Sequence, residues 1–387
     1  MKTVRGTASG EFGSIVGEIT RTGVPFYRRS GRIRLADTLG FDCLGYAGYL
    51  TEGMKGGLLH PDGIYAASGT EGVEEGDIVM LTSDGTVTVL WGANSSQNSL
   101  FVTKACNCDC LMCPQPPAIH DPQDLVRAEK VLDCLRSRSV KQICITGGEP
   151  TVLGARFLKV LERCSREHPE AAVNVLTNGK LFSDPEFAGK TASASNGKAL
   201  FCVSLHSDID TVHDRLVGAR GSYAAAQAGI YNLAKLGCAV EIRHVISKGN
   251  FNRLKRFSEQ MYSYFPFCAH YAFMGMEICG QAFKNFDEIN VSPLEYRDCL
   301  EEAVMSMYRA GLPVSVYNVP LCLCSEKTRP FARQSISSWK NIFMSQCEEC
   351  SKKDKCAGFF GTSAFLPGDL VRPFREDACD DSSACWG

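Results

Sequence analysis

The sequence predicts an α/β protein: a partial, TIM-like (β/α)6 barrel, preceded by a small β-rich domain and followed by a cysteine-rich region. Three observations carry this. Residues 1–97 are rich in Gly, Thr and Val and lack helical periodicity. Between Leu100 and Ala310, short apolar runs alternate with amphipathic helical stretches, the pattern of a parallel sheet with helices on its outer face. Past Gly311 the alternation stops, and the chain becomes loop-rich and cysteine-bearing, a composition that needs a metal to hold it. The expected domains are therefore 1–97, 98–312 and 313–387.

In the first domain, the apolar runs 77–82 and 86–91 flank Ser83-Asp84-Gly85. An Asp-Gly step between such runs signals a hairpin. The polar stretch 92–98 reads as a linker. In the second, 99–103 reads as a strand. Leu125, Ala128, Val131, Leu132 and Leu135 recur at helical spacing and predict a helix over 124–136. Strands follow at 142–146, 172–176, 200–204, 239–246 and 269–273, with helices at 155–167, 222–236, 252–264 and 293–310. Residues 313–317 read as a last strand. Six βα units are too few for a closed eight-fold barrel, so the sheet is expected to stay open, with ligands at the carboxyl ends of its strands.

The 387 residues are 44% hydrophobic and 22% charged, with a formal net charge of -2. A sequence pI near 6.4 gives no basic footprint for nucleic acid at the level of the whole chain. The first ten residues hold no apolar secretory core, and no run approaches the roughly 20 apolar residues of a membrane span. A cytoplasmic protein is expected. Its 20 cysteines then stay reduced, and clustered ones bind metal or do chemistry. Cys144, Cys164, Cys202 and Cys238 stand alone in apolar patterns and read as small buried hydrophobes. Cys106 to Cys113 and Cys322 to Cys356 are clustered.

The first cluster is Cys106-Asn-Cys108-Asp-Cys110-Leu-Met-Cys113-Pro114. A [4Fe–4S] cluster takes one thiolate per iron. Cys106, Cys110 and Cys113 supply three, so one iron stays open to chelate a small molecule. Cys108 reads as a bystander. A zinc site pairing Cys110 and Cys113 with Cys347 and Cys350, or unligated core cysteines, are the alternatives. Gly147-Gly148-Glu149-Pro150 ends the second strand. By itself it is a rigid strand-to-helix turn.

Together these motifs resemble the radical S-adenosylmethionine (SAM) superfamily. The resemblance implies that the open iron binds the amino and carboxylate groups of SAM. Gly147, Gly148, Glu149 and Pro150 would hold its amino group, since a desolvated amine needs an acceptor. Asn178 at the third strand's end, Ser204 and His206 at the fourth, and Arg243 on the fifth are weaker candidates. A turn, a polar cap or a surface cation would explain each equally well. His213-Asp214 reads as a loop or helix start, and 275–281 as a segment closing over the adenine. Asn98-x-Leu-x-x-Thr-x-x-Cys-Asn, then Cys110-Leu-Met-Cys-Pro-Gln-Pro-Pro117 and Glu75-Gly-Asp-Ile-Val79, are similar to the His-Xaa-Ser system radical SAM maturases. That family is thought to modify a ribosomally made peptide.

The second cluster, Cys347-x2-Cys350-x5-Cys356 with Cys322 and Cys324 upstream, resembles the auxiliary-cluster (twitch or SPASM-type) extensions of peptide-modifying radical SAM enzymes. It departs from the longer pattern at Phe359, where another cysteine would stand, so one auxiliary [4Fe–4S] cluster is expected. Its fourth ligand is Cys322, with Cys324 and Cys379 open. Zinc competes, because a closed four-thiolate set suits it. Cys379 and Cys385 read as free thiols. The function implied is hydrogen abstraction from a peptide or protein by a 5′-deoxyadenosyl radical, fed by an electron donor such as flavodoxin or ferredoxin. A radical SAM enzyme acting on a nucleoside or small molecule, and a non-catalytic zinc or iron–sulfur scaffold, are the rivals.

Overall fold

The computed structural model describes residues 3–37, 44–53, 62–337, 340–363 and 370–375. The first seven strands are β1 (Thr3–Ala8), β2 (Ile15–Thr20), β3 (Arg32–Leu35), β4 (Gly48–Leu50), β5 (Gly63–Ser68), β6 (Ile78–Leu81) and β7 (Thr86–Trp91). They close into a barrel in the order β1-β5-β4-β3-β2-β6-β7. Alternation along the strands sends Val4, Ile19, Ile33, Leu50, Ile64 and Val87 into its core. The expected hairpin is β6–β7, antiparallel. Asp84 makes its turn by accepting from the Thr86 N–H at 3.0 Å and the Thr82 hydroxyl at 2.6 Å. The 92–98 stretch is a folded turn. The Asn98 amide accepts from the Gly92 N–H at 2.9 Å and donates to the Gly92 carbonyl at 2.9 Å.

The second sheet has strands β8 (Ser99–Phe101), β9 (Gln142–Thr146), β10 (Ala172–Thr177), β11 (Ala199–Ser204), β12 (Ala239–Val245), β13 (His270–Met274), β14 (Val314–Tyr317) and β15 (Ala332–Arg333). Their order is β15-β14-β13-β12-β11-β10-β9-β8, an open sheet of eight strands rather than six. The extra pair are the expected strand at 313–317 and β15, whose two residues are too few to carry an alternation signal. The pairings β8–β9, β9–β10, β12–β13, β13–β14 and β14–β15 are parallel.

The helices are α1 (Pro122–Leu135), α2 (Ala155–Glu167), α3 (Pro185–Ser195), α4 (Asp210–Val217), α5 (Ser222–Lys235), α6 (Leu254–Tyr264), α7 (Gln281–Lys284), α8 (Phe286–Ile289) and α9 (Pro293–Arg309). Their ends follow local chemistry. Asp121 caps α1 ahead of Pro122, and Ser292 with Glu295 forms a capping box on α9. Four helices were not expected: α3, α4 and the single-turn α7 and α8. α3, rich in Ala, Ser and Gly, has no apolar stripe to announce it. α4 contains His213, which the sequence places in a loop or helix start. Among the isolated cysteines, Cys164 and Cys202 are buried, while Cys144 and Cys238 are half-exposed.

Contacts divide the chain into two compact units. One comprises Met1–Ala105, Ala118–Leu176 and Ser193–Leu200; the other comprises Cys106–Pro117, Thr177–Ala192 and Phe201–Gly387. A short antiparallel pair, β16 (Asn341–Ile342) with β17 (Phe359–Phe360), lies in the second. Among the described residues, no helix is long and apolar enough to cross a membrane.

Candidate functional site

In the first unit, Gly147 and Gly148 run hard against the chain that leaves β8. Gly148 N–H donates to Thr103 O at 2.7 Å, and Glu149 N–H to Ala105 O at 2.8 Å. A Cβ on Gly148 would stand 2.3 Å from Ala105 O and 2.7 Å from Lys104 O, so only glycine fits there. Glu149 is buried and caps the short helical turn that Pro150 opens. Its carboxylate accepts from the Thr151 N–H at 3.1 Å and the Thr151 hydroxyl at 2.6 Å. Ala118 N–H donates to Lys104 O at 3.1 Å, which ties together the two ends of the segment that carries the first cysteine cluster.

In the second unit, the cysteine loop is held from three sides. The carbonyls at the end of α4 accept from it: Asp109 N–H donates to Val217 O at 3.0 Å and Leu111 N–H to Leu216 O at 2.9 Å. From the third-strand turn, the Asn178 amide donates to Asn107 Oδ1 at 2.6 Å and the Lys180 ammonium to Asn107 O at 3.0 Å. Gln281 N–H donates to Cys113 O at 2.8 Å. Gly280 lies so close to the loop that a Cβ there would stand 2.5 Å from Pro114 O. The segment 275–281, expected over an adenine, thus braces the cysteine loop. Met112 pins the loop to Leu216, Ala282 and Ile289.

This packing sorts the cysteines. Cys108 is buried, and its sulfur accepts from the Asn178 amide at 3.5 Å. Cys106, Cys110 and Cys113 remain partly exposed. Burial, reinforced by Cys108, Cys113 and Asp109, pushes the Cys110 thiol up to about 12. Among the described residues, no group of three or more His, Cys, Asp or Glu side chains is gathered as a metal ligand set. The donor chemistry of three thiols on one braced loop, none of them on a fully buried residue, fits an iron–sulfur cluster.

The remaining candidates sort as follows. Ser204 closes β11 and is partly exposed. Arg243 is a β12 side chain whose Nε donates to Glu241 Oε1 at 2.5 Å. Glu241 also meets His270 Nδ1 at 2.8 Å. Burial raises the Glu241 carboxyl, but the His270 hydrogen bond and the Arg243 charge outweigh it and leave it at about 2. His206 is 4% exposed. Its ring stacks on His213 at 5.8 Å and meets His244 edge-on at 6.2 Å. Its Nδ1 accepts from the Val245 N–H at 3.3 Å, and its backbone N–H donates to His213 Nδ1 at 3.0 Å. His206 therefore locks the end of β11 to the end of β12. Asn107 and Lys180 were not singled out by the sequence, and Gln281 was reached only as the end of the segment 275–281, with another role.

The histidine cluster makes a testable prediction. Burial holds His206 well below the usual range, His213 at about 4 and His244 at about 3. The unfolded chain binds protons from about pH 6.5 downward, before the folded chain does, so stability falls with pH between about 6.5 and 4. At 1.4 kcal/mol per unit, His213 alone accounts for about 2 kcal/mol by pH 5. The urea midpoint of the metal-free chain should drop accordingly from pH 7 to pH 5. An unchanged midpoint would refute the neutral cluster.

Around the second cysteine group, Cys322, Cys347, Cys350 and Cys356 line one cavity with Phe343, Phe359 and Phe374. Cys356 Sγ accepts from the Leu321 N–H at 3.3 Å and the Gly358 N–H at 3.4 Å. Cys324 is 2% exposed and does not line the cavity, and burial pushes its thiol up to about 12. Cys379 and Cys385 lie outside the described residues. The donor set, four thiols on one cavity, fits either an iron–sulfur cluster or zinc.

A family model described as the radical SAM superfamily matches residues 100–253. Those residues are a radical SAM domain. The family implies a [4Fe–4S] cluster and SAM. Three curated relatives overlap the domain. The mycofactocin maturase MftC of Mycolicibacterium smegmatis is 29% identical over 160 residues, 41% of this chain and 39% of that protein. The Fe-coproporphyrin III synthase of Methanosarcina barkeri is 33% identical over 152 residues, 38% of this chain and 36% of that protein. The GTP 3′,8-cyclase of Petrotoga mobilis is 30% identical over 176 residues, 43% of this chain and 52% of that protein. The matched stretch thus spans at most about half of each relative.

Proposed function

We propose that the chain is a radical SAM enzyme that holds a [4Fe–4S] cluster on Cys106, Cys110 and Cys113 and modifies a ribosomally made peptide or protein by hydrogen abstraction. The observation that carries the reading is the braced loop that carries three partly exposed cysteines at this spacing, inside a radical SAM domain. When bound, the cluster supplies the electron that splits SAM into methionine and a 5′-deoxyadenosyl radical. The chain's own part is to bind, orient and exclude water. Gly147, Gly148, Glu149 and Pro150 receive the SAM amino group. Asn178 braces the loop beside Asn107, Ser204 and Arg243 meet the rest of SAM, and His206 positions the strand ends around it. Electrons come from a donor of the flavodoxin or ferredoxin kind.

The peptide class is supported by the second cysteine set and by the presence of a maturase among the relatives. The synthase and cyclase relatives favour the rival small-molecule reading. The test measures 5′-deoxyadenosine from SAM and dithionite with a pool of synthetic peptides, with GTP, or with coproporphyrin. Stimulation by peptides, with a mass change in one of them, is expected. Stimulation by GTP or the tetrapyrrole alone would overturn the peptide reading.

Cys322, Cys347, Cys350 and Cys356 hold an auxiliary [4Fe–4S] cluster in this reading, with zinc as the second reading. Replacing Cys347 and Cys350 with serine should remove about four irons per chain, by iron and sulfide assay. Loss of one zinc and no iron would assign the site to zinc.

A further inference from the structure

The carboxyl ends of β12, β13 and β14 open onto a cavity of about 310 Å³ that the site described above does not use. Its floor is Ile246, Gly275 and Asn318, which stand just past the ends of the three strands. Two backbones converge there: a Cβ on Gly275 would stand 2.6 Å from Asn318 O. Asn318 has a φ of 61°, a left-handed conformation that is uncommon outside glycine and collects at functional sites. Ser335 holds it there, accepting from the Asn318 N–H and donating to Asn318 Oδ1, both at 2.8 Å.

The walls include Ile278, Phe286, Val291, Tyr296, Phe359 and Phe360. Polar atoms come from Asn290, Ser292 and Thr362. Among the described residues, no Asp, Glu, Lys, Arg or His lines the cavity. A phosphate or carboxylate buried there would lose its solvation with no counter-charge to offset it. The volume is at the lower end of ligand sites, the scale of one large side chain rather than a nucleotide or a macrocycle. Phe359 also lines the four-cysteine cavity, so an occupant would sit one side chain away from it.

We propose that this cavity is a specificity pocket that takes an uncharged, mainly apolar side chain of the peptide substrate. The proposal rests on the peptide reading above. Saturation-transfer NMR on the full chain tests it, with N-acetyl-phenylalaninamide, N-acetyl-leucinamide, N-acetyl-lysinamide, N-acetyl-glutamic acid amide and GTP as probes. The two apolar amides should bind saturably. Val291→Trp, which fills the cavity, should weaken them at least tenfold, and Tyr262→Ala, on the exposed side of α6, should not. Equal binding of the charged probes, or unchanged binding in a folded V291W chain, would overturn the proposal. If V291W does not fold, Phe360→Ala decides. Enlarging the wall should shift preference toward N-acetyl-tryptophanamide, and an unchanged preference would refute the pocket. Failure here leaves peptide-stimulated 5′-deoxyadenosine formation intact, whereas failure of the peptide reading removes that stimulation itself.

Discussion

Replacing Cys106, Cys110 and Cys113 together with alanine removes about four irons per chain and brings 5′-deoxyadenosine formation from SAM and dithionite down to background. The three thiols stand on one loop and remain partly exposed, so their loss takes away ligands without opening a core cavity. The loop itself should persist. Asp109, Leu111 and Gln281 hold it through backbone hydrogen bonds, and Asn178 through the Asn107 amide. The thermal transition of the metal-free variant should therefore match that of the metal-free parent. A matched control is Cys108→Ala, whose sulfur is buried and faces Asn178 and Lys180. It should keep its iron and instead lose stability, by about 1–2 kcal/mol for a small buried group. If C108A loses the cluster while Cys106→Ala keeps it, the assignment of ligands is wrong.

The second large effect is at Gly148. Alanine there would place a methyl 2.3 Å from Ala105 O, 2.7 Å from Lys104 O and 2.8 Å from Ala105 C. These are backbone atoms, which cannot rotate away as a side chain can. Relief requires the turn 147–150 to part from the strand end that leads into the cysteine loop, breaking the 2.7 and 2.8 Å bonds from Gly148 and Glu149. Overpacking of this kind costs about 3 kcal/mol, a fall of roughly 5–10 °C in the thermal midpoint. If the turn also receives the SAM amino group, SAM affinity should fall at least about tenfold, since 1.4 kcal/mol suffices for that. Gly189→Ala is the contrast. A Cβ there meets nothing within 4 Å, and Gly189 lies inside α3, so alanine should stabilise the helix by about 0.5–1 kcal/mol. A Gly148→Ala chain as stable as the parent would show that the close approach imposes no constraint.

Much of this was legible one residue at a time. The β6–β7 hairpin follows from an Asp-Gly step between apolar runs, and α1 and α9 from their caps and apolar stripes. Each rests on groups within about four residues of one another, so the sequence alone suffices. The same holds for Cys106, Cys110 and Cys113, which share one loop. α3 was invisible for the opposite reason. Its alanines, serines and glycine encode no stripe, and it is helical in the context of the fold.

The sequence by itself determined the alternation that makes an open parallel sheet and the spacing of thiols on the first loop, whereas the need for glycine at 148 comes from its contact with Lys104 and Ala105, more than 40 residues away. Tertiary structure alone decided which cysteine of that loop turns inward. It also set His206, which the sequence offered as a site residue, against His213 and His244. Cys322 joins Cys347, Cys350 and Cys356 on one cavity, and Cys324 does not. The physical reason is range. Capping, turn chemistry and periodicity act between near neighbours, whereas the bond from Leu321 N–H to Cys356 Sγ joins residues 35 apart. Which partner a side chain finds at that separation is set by packing of the whole fold.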